Sequence, residues 1–391
     1  MRKLILLLVS SLSLFAQSPY YRLGYGDLLP ATDAFGASVG TGAVALEDSI
    51  RLTLHNPAAL NGLKRVHFGV ALGSEFRSTD DIVTNNTRLE QIFFAFPIGQ
   101  KFGMSLGAHA VSDFESSYES QLADGPFSDE TRGGIWDYSV GLGYKYSDDL
   151  KLGLKLHSFQ GLMRRESKIS VESAAELYVV KGNLSGKSIE LGVISNISEK
   201  VSLGLTANFP YDAPSLSGRD SLAGSESFVD LDESLGAWPT VINLGVVYKH
   251  SDVTRFITGI GQEVFPADGF FDARVFKLPE GWKTVPVASV QVAMQRLPRD
   301  RTSRSWGKRV GWQTGVSIKN HYLVSEKEKL IYEYSIISGL NLALRNGRSL
   351  FDISGEFGSR GGEDSLPEEL FARVKFGIQI NDTWFRKVKR R

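Results

Sequence analysis

From about residue 65 to residue 381 the chain repeats one pattern: segments of roughly ten residues in which apolar side chains alternate with small or polar ones. Val201, Leu203 and Leu205 alternate with Ser202, Gly204 and Thr206. Trp136, Tyr138, Val140, Leu142, Tyr144 and Tyr146 alternate with Asp137, Ser139, Gly141, Gly143 and Lys145. Leu152, Leu154 and Leu156 repeat the pattern, as do Val374, Phe376, Ile378 and Ile380. A period of two places the two sets on opposite faces of a strand. Segments this long, apolar on one face only, are what an antiparallel barrel needs when its outside meets lipid. Fourteen segments follow the pattern, at 65–75, 87–97, 100–112, 133–146, 149–160, 186–197, 199–209, 239–250, 252–265, 283–297, 308–320, 329–344, 347–358 and 369–381. The predicted fold class is all-β: a transmembrane antiparallel β-barrel of about 14 strands with an N-terminal lumenal hatch.

The connections point the same way. Short polar turns stand at Ile98–Gly99, Ser147–Asp148, Ser198–Glu199, Ser251 and Asn346–Gly347. Longer connections follow segments one, three, five, seven and nine, the longest running from Pro210 to Trp238. A membrane barrel has this alternation, with tight periplasmic turns and longer extracellular loops. The stretch from Pro298 to Gly307 breaks the rule, being long and basic where a short turn is due. A soluble β-sandwich is the alternative, but its strands run to only about 5–6 residues. Trp136, Tyr144, Tyr146, Trp238, Tyr248, Trp282, Trp312, Tyr332 and Trp384 sit near segment ends, as interface girdles do.

The expected domains are a signal peptide at 1–16, a hatch at 17–64, the barrel at 65–385 and a basic periplasmic tail at 386–391. Arg2 and Lys3 precede an apolar run from Leu4 to Phe15, and Ala16 offers a cleavage point. That run has 12 residues, short of the roughly 20 a membrane-spanning helix needs. Residues 17–64 lack strand alternation and are too few to form their own core, so they need the barrel lumen to pack in. Asp33, Asp48 and Ser49 are candidate caps of short helical turns. Gly36, Gly40 and Gly42 are candidate packing positions in a small-residue stretch.

Other functions find little support. Lys+Arg and Asp+Glu each total 44, which leaves no basic surplus for a nucleic-acid partner. Cysteine is absent, which excludes disulfides and thiolate chemistry. The six histidines, at 55, 67, 109, 157, 250 and 321, show no metal-binding spacing, and GxSxG and P-loop patterns are missing. No enzyme activity, cofactor or metal is expected. Arg373, Lys375, Lys155 and Glu190 fall on inward faces and either tune lumen polarity or pair with the hatch.

The N-terminal segment carries Asp33-Ala-Phe-Gly-Ala-Ser-Val-Gly-Thr-Gly-Ala-Val-Ala-Leu-Glu-Asp48, followed by Asn56-Pro57-Ala58 just before the first strand. This resembles the hatch of the FadL-type outer-membrane transporter superfamily, which includes PorV-like barrels. Gly358-Ser-Arg-Gly-Gly362, Glu369 and Lys375 to Phe385 resemble the closing hairpin of the same proteins. Two departures stand out: Ala59 where the family usually has Gly, and a basic tail where an aromatic end is usual. The resemblance implies that Asn56, Pro57 and Ala58 gate the periplasmic end of the hatch. By residue chemistry alone they make a turn, since Pro57 lacks a donor and Asn56 can cap.

The resemblance further implies a channel in a Gram-negative-type outer membrane, in contact with membrane lipid, that takes up small hydrophobic ligands such as long-chain fatty acids. The alternative is a PorV-like barrel that partners a protein-secretion or surface-attachment machine. Apolar residues facing the lumen near the extracellular end favour the first; a polar lumen with large protruding loops favours the second.

Overall fold

The computed structural model describes residues 26–29, 33–48, 51–79, 82–122, 125–171, 174–222, 228–234, 238–265, 282–324, 329–344, 348–361 and 368–382. The expected signal peptide, the basic tail, Ser49 and Trp384 lie outside these.

Fourteen long strands make the wall: β1 Val66–Thr79, β2 Ile82–Ile98, β3 Phe102–Asp113, β4 Gly125–Lys145, β5 Leu150–Val171, β6 Ala174–Asn196 and β7 Val201–Leu222, then β8 Thr240–Lys249, β9 Thr254–Val264, β10 Val287–Arg296, β11 Val310–Val324, β12 Leu330–Ala343, β13 Ser349–Arg360 and β14 Glu369–Asp382. Each pairs antiparallel with the next, and β14 closes on β1 over Glu369↔Thr79 to Asp382↔Val66. All fourteen predicted segments fall on these strands. Closure pairs the first strand with the last and so removes the open edges a flat sheet would show to lipid, which is why strands can cross a membrane at all.

The outer face carries the apolar set: Phe68, Leu72, Leu106, Val140, Leu154 and Leu205 are all exposed. Their neighbours on the other face, among them Ser105, Ser139, His157 and Thr206, are buried toward the lumen. Tyr146, Tyr248 and Tyr332 are exposed near strand ends, as girdle residues are. Trp238 departs from expectation: it is buried and stacks on Phe159, with ring centroids 4.6 Å apart.

At one end of the barrel the turns share one device. Ser147, Ser198 and Ser251 each accept, through Oγ, the backbone N–H three residues on, at 3.0–3.1 Å. The long basic connection at this end contains a short helix, Trp306–Arg309, and Arg301 reaches inward to Asp48 at 2.8 Å.

The opposite end corrects the predicted boundaries. β4 to β7 are 21–23 residues long, about twice what a bilayer requires. The connection read as starting at Pro210 is strand as far as Leu222, and it pairs with a further strand at Phe228–Ser234. Another strand, Ser116–Leu122, pairs with the start of β4. On these extensions the exposed, outward residues are largely polar, among them Arg164, Lys181, Asn183 and Ser185, while Met163, Val180 and Leu184 are buried on the inner face. They project past the apolar belt as a β-ribbon, and with water in place of lipid outside no outward apolar set marks them.

Candidate functional site in the barrel lumen

The described part of residues 26–64 threads the lumen from one end to the other. Asp27–Leu28 form a short strand against Ser112–Asp113 at the end of β3. A helical turn follows at Ala34–Ala37, and Asp33 caps it by accepting the Gly36 N–H at 2.6 Å. Two 3-10 turns come next, Gly40–Ala45 and Pro57–Leu60. Asp48 accepts the Arg51 N–H at 3.5 Å, and Arg301 holds its carboxylate at 2.8 Å.

The wall makes room for this segment with a row of glycines. Gly103, Gly143, Gly153 and Gly192 are direct cross-strand partners on β3 to β6, and Gly204, Gly245 and Gly259 continue the row on β7 to β9. A Cβ built on any of them would come under 3.0 Å from the inner segment, largely from its backbone between Gly42 and Asn61. Their register across strands makes them a packing surface, which no single glycine reveals in the sequence, because that register needs the pairing to be known.

Asn56 is the best-anchored residue of the segment. It is fully buried, its Oδ1 accepts the Ala58 N–H at 2.9 Å, and its Nδ2 donates to Val44 O at 2.8 Å and Val193 O at 3.0 Å. Pro57 opens the second turn, where its missing N–H costs nothing. Ala58 packs between them and Gly153 with no exposure. Gly40 has φ +63°, the left-handed region that suits glycine, and lies against Gln291. Gly42 lies against Ile257 and Thr258, and Gly36 against His55. Further on, the Leu52 amide and carbonyl exchange hydrogen bonds with Gln379 at 2.8 and 2.7 Å. Arg51 reaches Asp352 at 2.8 Å, and its guanidinium sits 4.1 Å above the Phe35 ring.

The other end of the segment is held by buried charge. Asp27 pairs with Arg77 and, at 2.8 Å, with Arg360. Burial pushes its carboxyl up, but the guanidiniums of Arg360, Arg77 and Arg373 outweigh that and hold it well below the usual carboxylate range. Arg373 bridges Glu75 at 2.5 Å and Glu333 at 3.1 Å. Lys375 pairs with Glu90 at 2.7 Å, and Lys155 with Glu190 at 3.5 Å. The inward charges are expected from the sequence to tune lumen polarity or to pair with the hatch; instead most of them pair within the wall, and Lys155 also approaches the inner segment, at Leu54 O, 3.4 Å.

Beside this cluster the wall parts. β2 pairs with β3 only from Gln91 to Ile98. Above that, among the described residues, β2 from Ile82 to Leu89 pairs with β1 alone, while Asp27–Leu28 lie antiparallel beside the end of β3 and the Leu29 N–H bonds Val111 O. Asn86 and Arg88 reach across the parting to the Asp113 carboxylate, at 2.5 and 3.0 Å.

Between the inner segment and the far wall lies a cavity of about 360 Å3. Phe159, Trp238, Val287 and Tyr322 line part of it and belong to an apolar cluster with Ile135, Met163, Leu184 and Phe265, at the end of the barrel opposite the short turns. Its polar wall brings together residues from separate strands. His157 Nδ1 lies 2.7 Å from Asp137 and Nε2 3.0 Å from Glu190, and His109 Nδ1 is 3.3 Å from Asp137. In the sequence these histidines look scattered; only the pairing of β3 to β6 joins them. Carboxylates occupy both ring nitrogens of His157, which leaves neither free to activate a serine. Among the described residues no group of three or more His, Asp or Glu is placed to hold a metal.

A closed antiparallel barrel with a lipid-compatible exterior and a threaded lumen defines a transmembrane β-barrel with a plugged lumen. The BamG family model matches residues 1–221 and 255–390, and the chain belongs to the BamG family. No curated protein matches the sequence. Among solved structures, the fold is similar to a FadL homologue of Pseudomonas aeruginosa (10% identity, 93% of this chain and 100% of that one, TM-score 0.61). It is also similar to the toluene transporter TbuX of Ralstonia pickettii (13%, 94% and 99%, 0.59) and to the toluene transporter TodX of Pseudomonas putida (13%, 93% and 98%, 0.58).

Proposed function

We propose that this protein is an outer-membrane channel for the uptake of small hydrophobic molecules, long-chain fatty acids among them, with residues 1–16 as its export signal and residues 17–64 as its hatch. The observation that carries this reading is the apolar cluster around Phe159, Trp238 and Tyr322, which turns inward at the end bearing the long connections and opens on the cavity. In a barrel oriented by loop length that end is extracellular. An apolar ligand would leave water there and enter the lumen. The parting of β2 from β3 offers a sideways way out, and Asn56-Pro57-Ala58 a gate on the way down. Similar structures titled as toluene transporters support the reading. It is tested by extracting the purified barrel with organic solvent and identifying co-purified lipid by mass spectrometry, alongside uptake of a labelled fatty acid by cells with and without the gene. No bound apolar molecule and no difference in uptake would sink it.

One feature favours the second reading, a partner of a secretion or surface-attachment machine: the polar β-ribbon of β4 to β7, which projects past the apolar belt and offers a docking surface. Photo-crosslinking from Glu119 in intact cells tests it, and the absence of any specific protein adduct counts against it.

A further inference from the structure

Four polar side chains line the cavity with an oxygen that no group of the protein satisfies: Asp137 Oδ1, Gln91 Oε1, Ser188 Oγ and Asn208 Oδ1. Asp137, Ser188 and Gln91 are at least nine-tenths buried, at 0%, 1% and 6% exposure. Buried polar atoms in native proteins almost always have partners, so four on one cavity wall mark a place where the partner comes from outside the chain. The cavity's cations are already engaged: Lys155 on Glu190, Lys319 on Glu333 and Lys375 on Glu90. The oxygens of Asp137, Gln91 and Asn208 can only accept, and the Ser188 hydroxyl both accepts and donates, so a partner must bring hydrogen-bond donors to this wall. The opposite lining, Phe159, Trp238, Val287 and Tyr322, asks for an apolar body.

We propose that this cavity binds an uncharged amphiphile whose head group carries several hydroxyls, seated on Asp137, Gln91, Ser188 and Asn208 with its apolar part against Phe159 and Trp238. The proposal rests on the channel reading above and narrows it at this cavity, setting uncharged amphiphiles ahead of the ionised fatty acids which that reading includes. An ionised carboxylate head would set its acceptors against the oxygens of Asp137, Gln91 and Asn208, with only the Ser188 hydroxyl able to donate, and would add a third negative charge beside Asp137 and Glu190. A compact ammonium supplies donors, but from one point. The four oxygens stand on β2, β4, β6 and β7, and strands lie about 4.8 Å apart, so a head group with spread hydroxyls fits them and a point charge does not.

The test uses the full-length barrel in lipid nanodiscs and four probes with the same ten-carbon chain: 1-decanoylglycerol, decanoate, decylammonium and decane. Native mass spectrometry counts bound copies. The expected result is one decanoylglycerol per barrel, bound about tenfold or more tightly than the other three. Ser188→Ala with Gln91→Met weakens that probe by about three- to tenfold, the range of one or two lost hydrogen bonds, and leaves decane unchanged. Ser188→Ala alone serves if the double variant loses its heat-modifiable gel shift, since it deletes an oxygen that has no partner in the protein. Decane binding as well as decanoylglycerol, or variants without effect, overturns the head-group site while the channel reading stands; the oxygens then hold water. Tightest binding of decylammonium or decanoate overturns the uncharged class. If no probe binds, this proposal falls, and the channel reading stands or falls separately on the uptake of labelled fatty acid.

Discussion

Gly153 on β5 is where the fit between wall and inner segment can be measured. A Cβ at this position would lie 2.8 Å from Ala58 Cα and closer still to the backbone joining Pro57 to Ala58. Neither side can give cheaply, because the clash is with backbone and not with the tip of a flexible side chain. Overpacking of this kind costs about 1–3 kcal/mol. Gly355 on β13 is the control, with nothing within 4 Å of its notional Cβ. Replacing a strand glycine by alanine gains roughly 0.5–1 kcal/mol from the unfolded chain in either place. Gly355→Ala therefore comes out neutral to slightly stabilising. Gly153→Ala carries the same gain plus a penalty that falls on the docking of the segment and not on wall pairing. At 1.4 kcal/mol per tenfold, 1–3 kcal/mol shifts the docked-to-undocked ratio by about 5- to 150-fold. Both variants are expected to show parental heat-modifiable migration. Gly153→Ala alone should leak small solutes in a liposome-swelling assay and should be cut faster by protease between residues 42 and 60. If the two variants behave alike in leakage and proteolysis, the glycine row is not a docking surface and the reasoning is wrong.

Asn56→Ala with Pro57→Ala should leave barrel assembly intact and loosen the segment by about 1–3 kcal/mol, the cost of stranding buried hydrogen-bond partners. Altered uptake of an apolar ligand is then expected, whereas folding and uptake like the parent would reduce the triplet to a turn. Leu205→Arg should destabilise the barrel by about 2–4 kcal/mol in reversible unfolding from detergent, because its side chain lies exposed in the apolar belt. Thr206→Arg, on the lumen side next to the cavity, should cost much less; equal costs would mean the faces are reversed. Cysteine placed at Gly218 should be labelled in intact cells by an impermeant reagent and cysteine at Ser147 should not, and the opposite result would invert the orientation.

Sequence alone determined the parts of this protein that lipid dictates. A strand crossing a bilayer must be apolar at every second residue, and that requirement wrote all fourteen wall strands into the pattern, down to the serines that close the turns at 147, 198 and 251. It also showed that residues 17–64 need a surface to pack on. Where water and not lipid meets the outer face no such requirement acts, so the extensions of β4 to β7 carry no outward apolar set and read as loops in the sequence. Trp238 looked like a girdle residue because composition cannot say which way a ring turns at a strand end. Tertiary structure decided what meets inside the closed wall. His109, Asp137, His157 and Glu190 belong to four strands and are neighbours only through antiparallel register. The glycines at 103, 143, 153 and 192 are ordinary strand residues one at a time and become a seat for the inner segment only when they line up side by side. Lumen chemistry is set by closure, which places residues far apart in the chain a few ångströms from one another, and that arrangement depends on pairing and not on any local propensity.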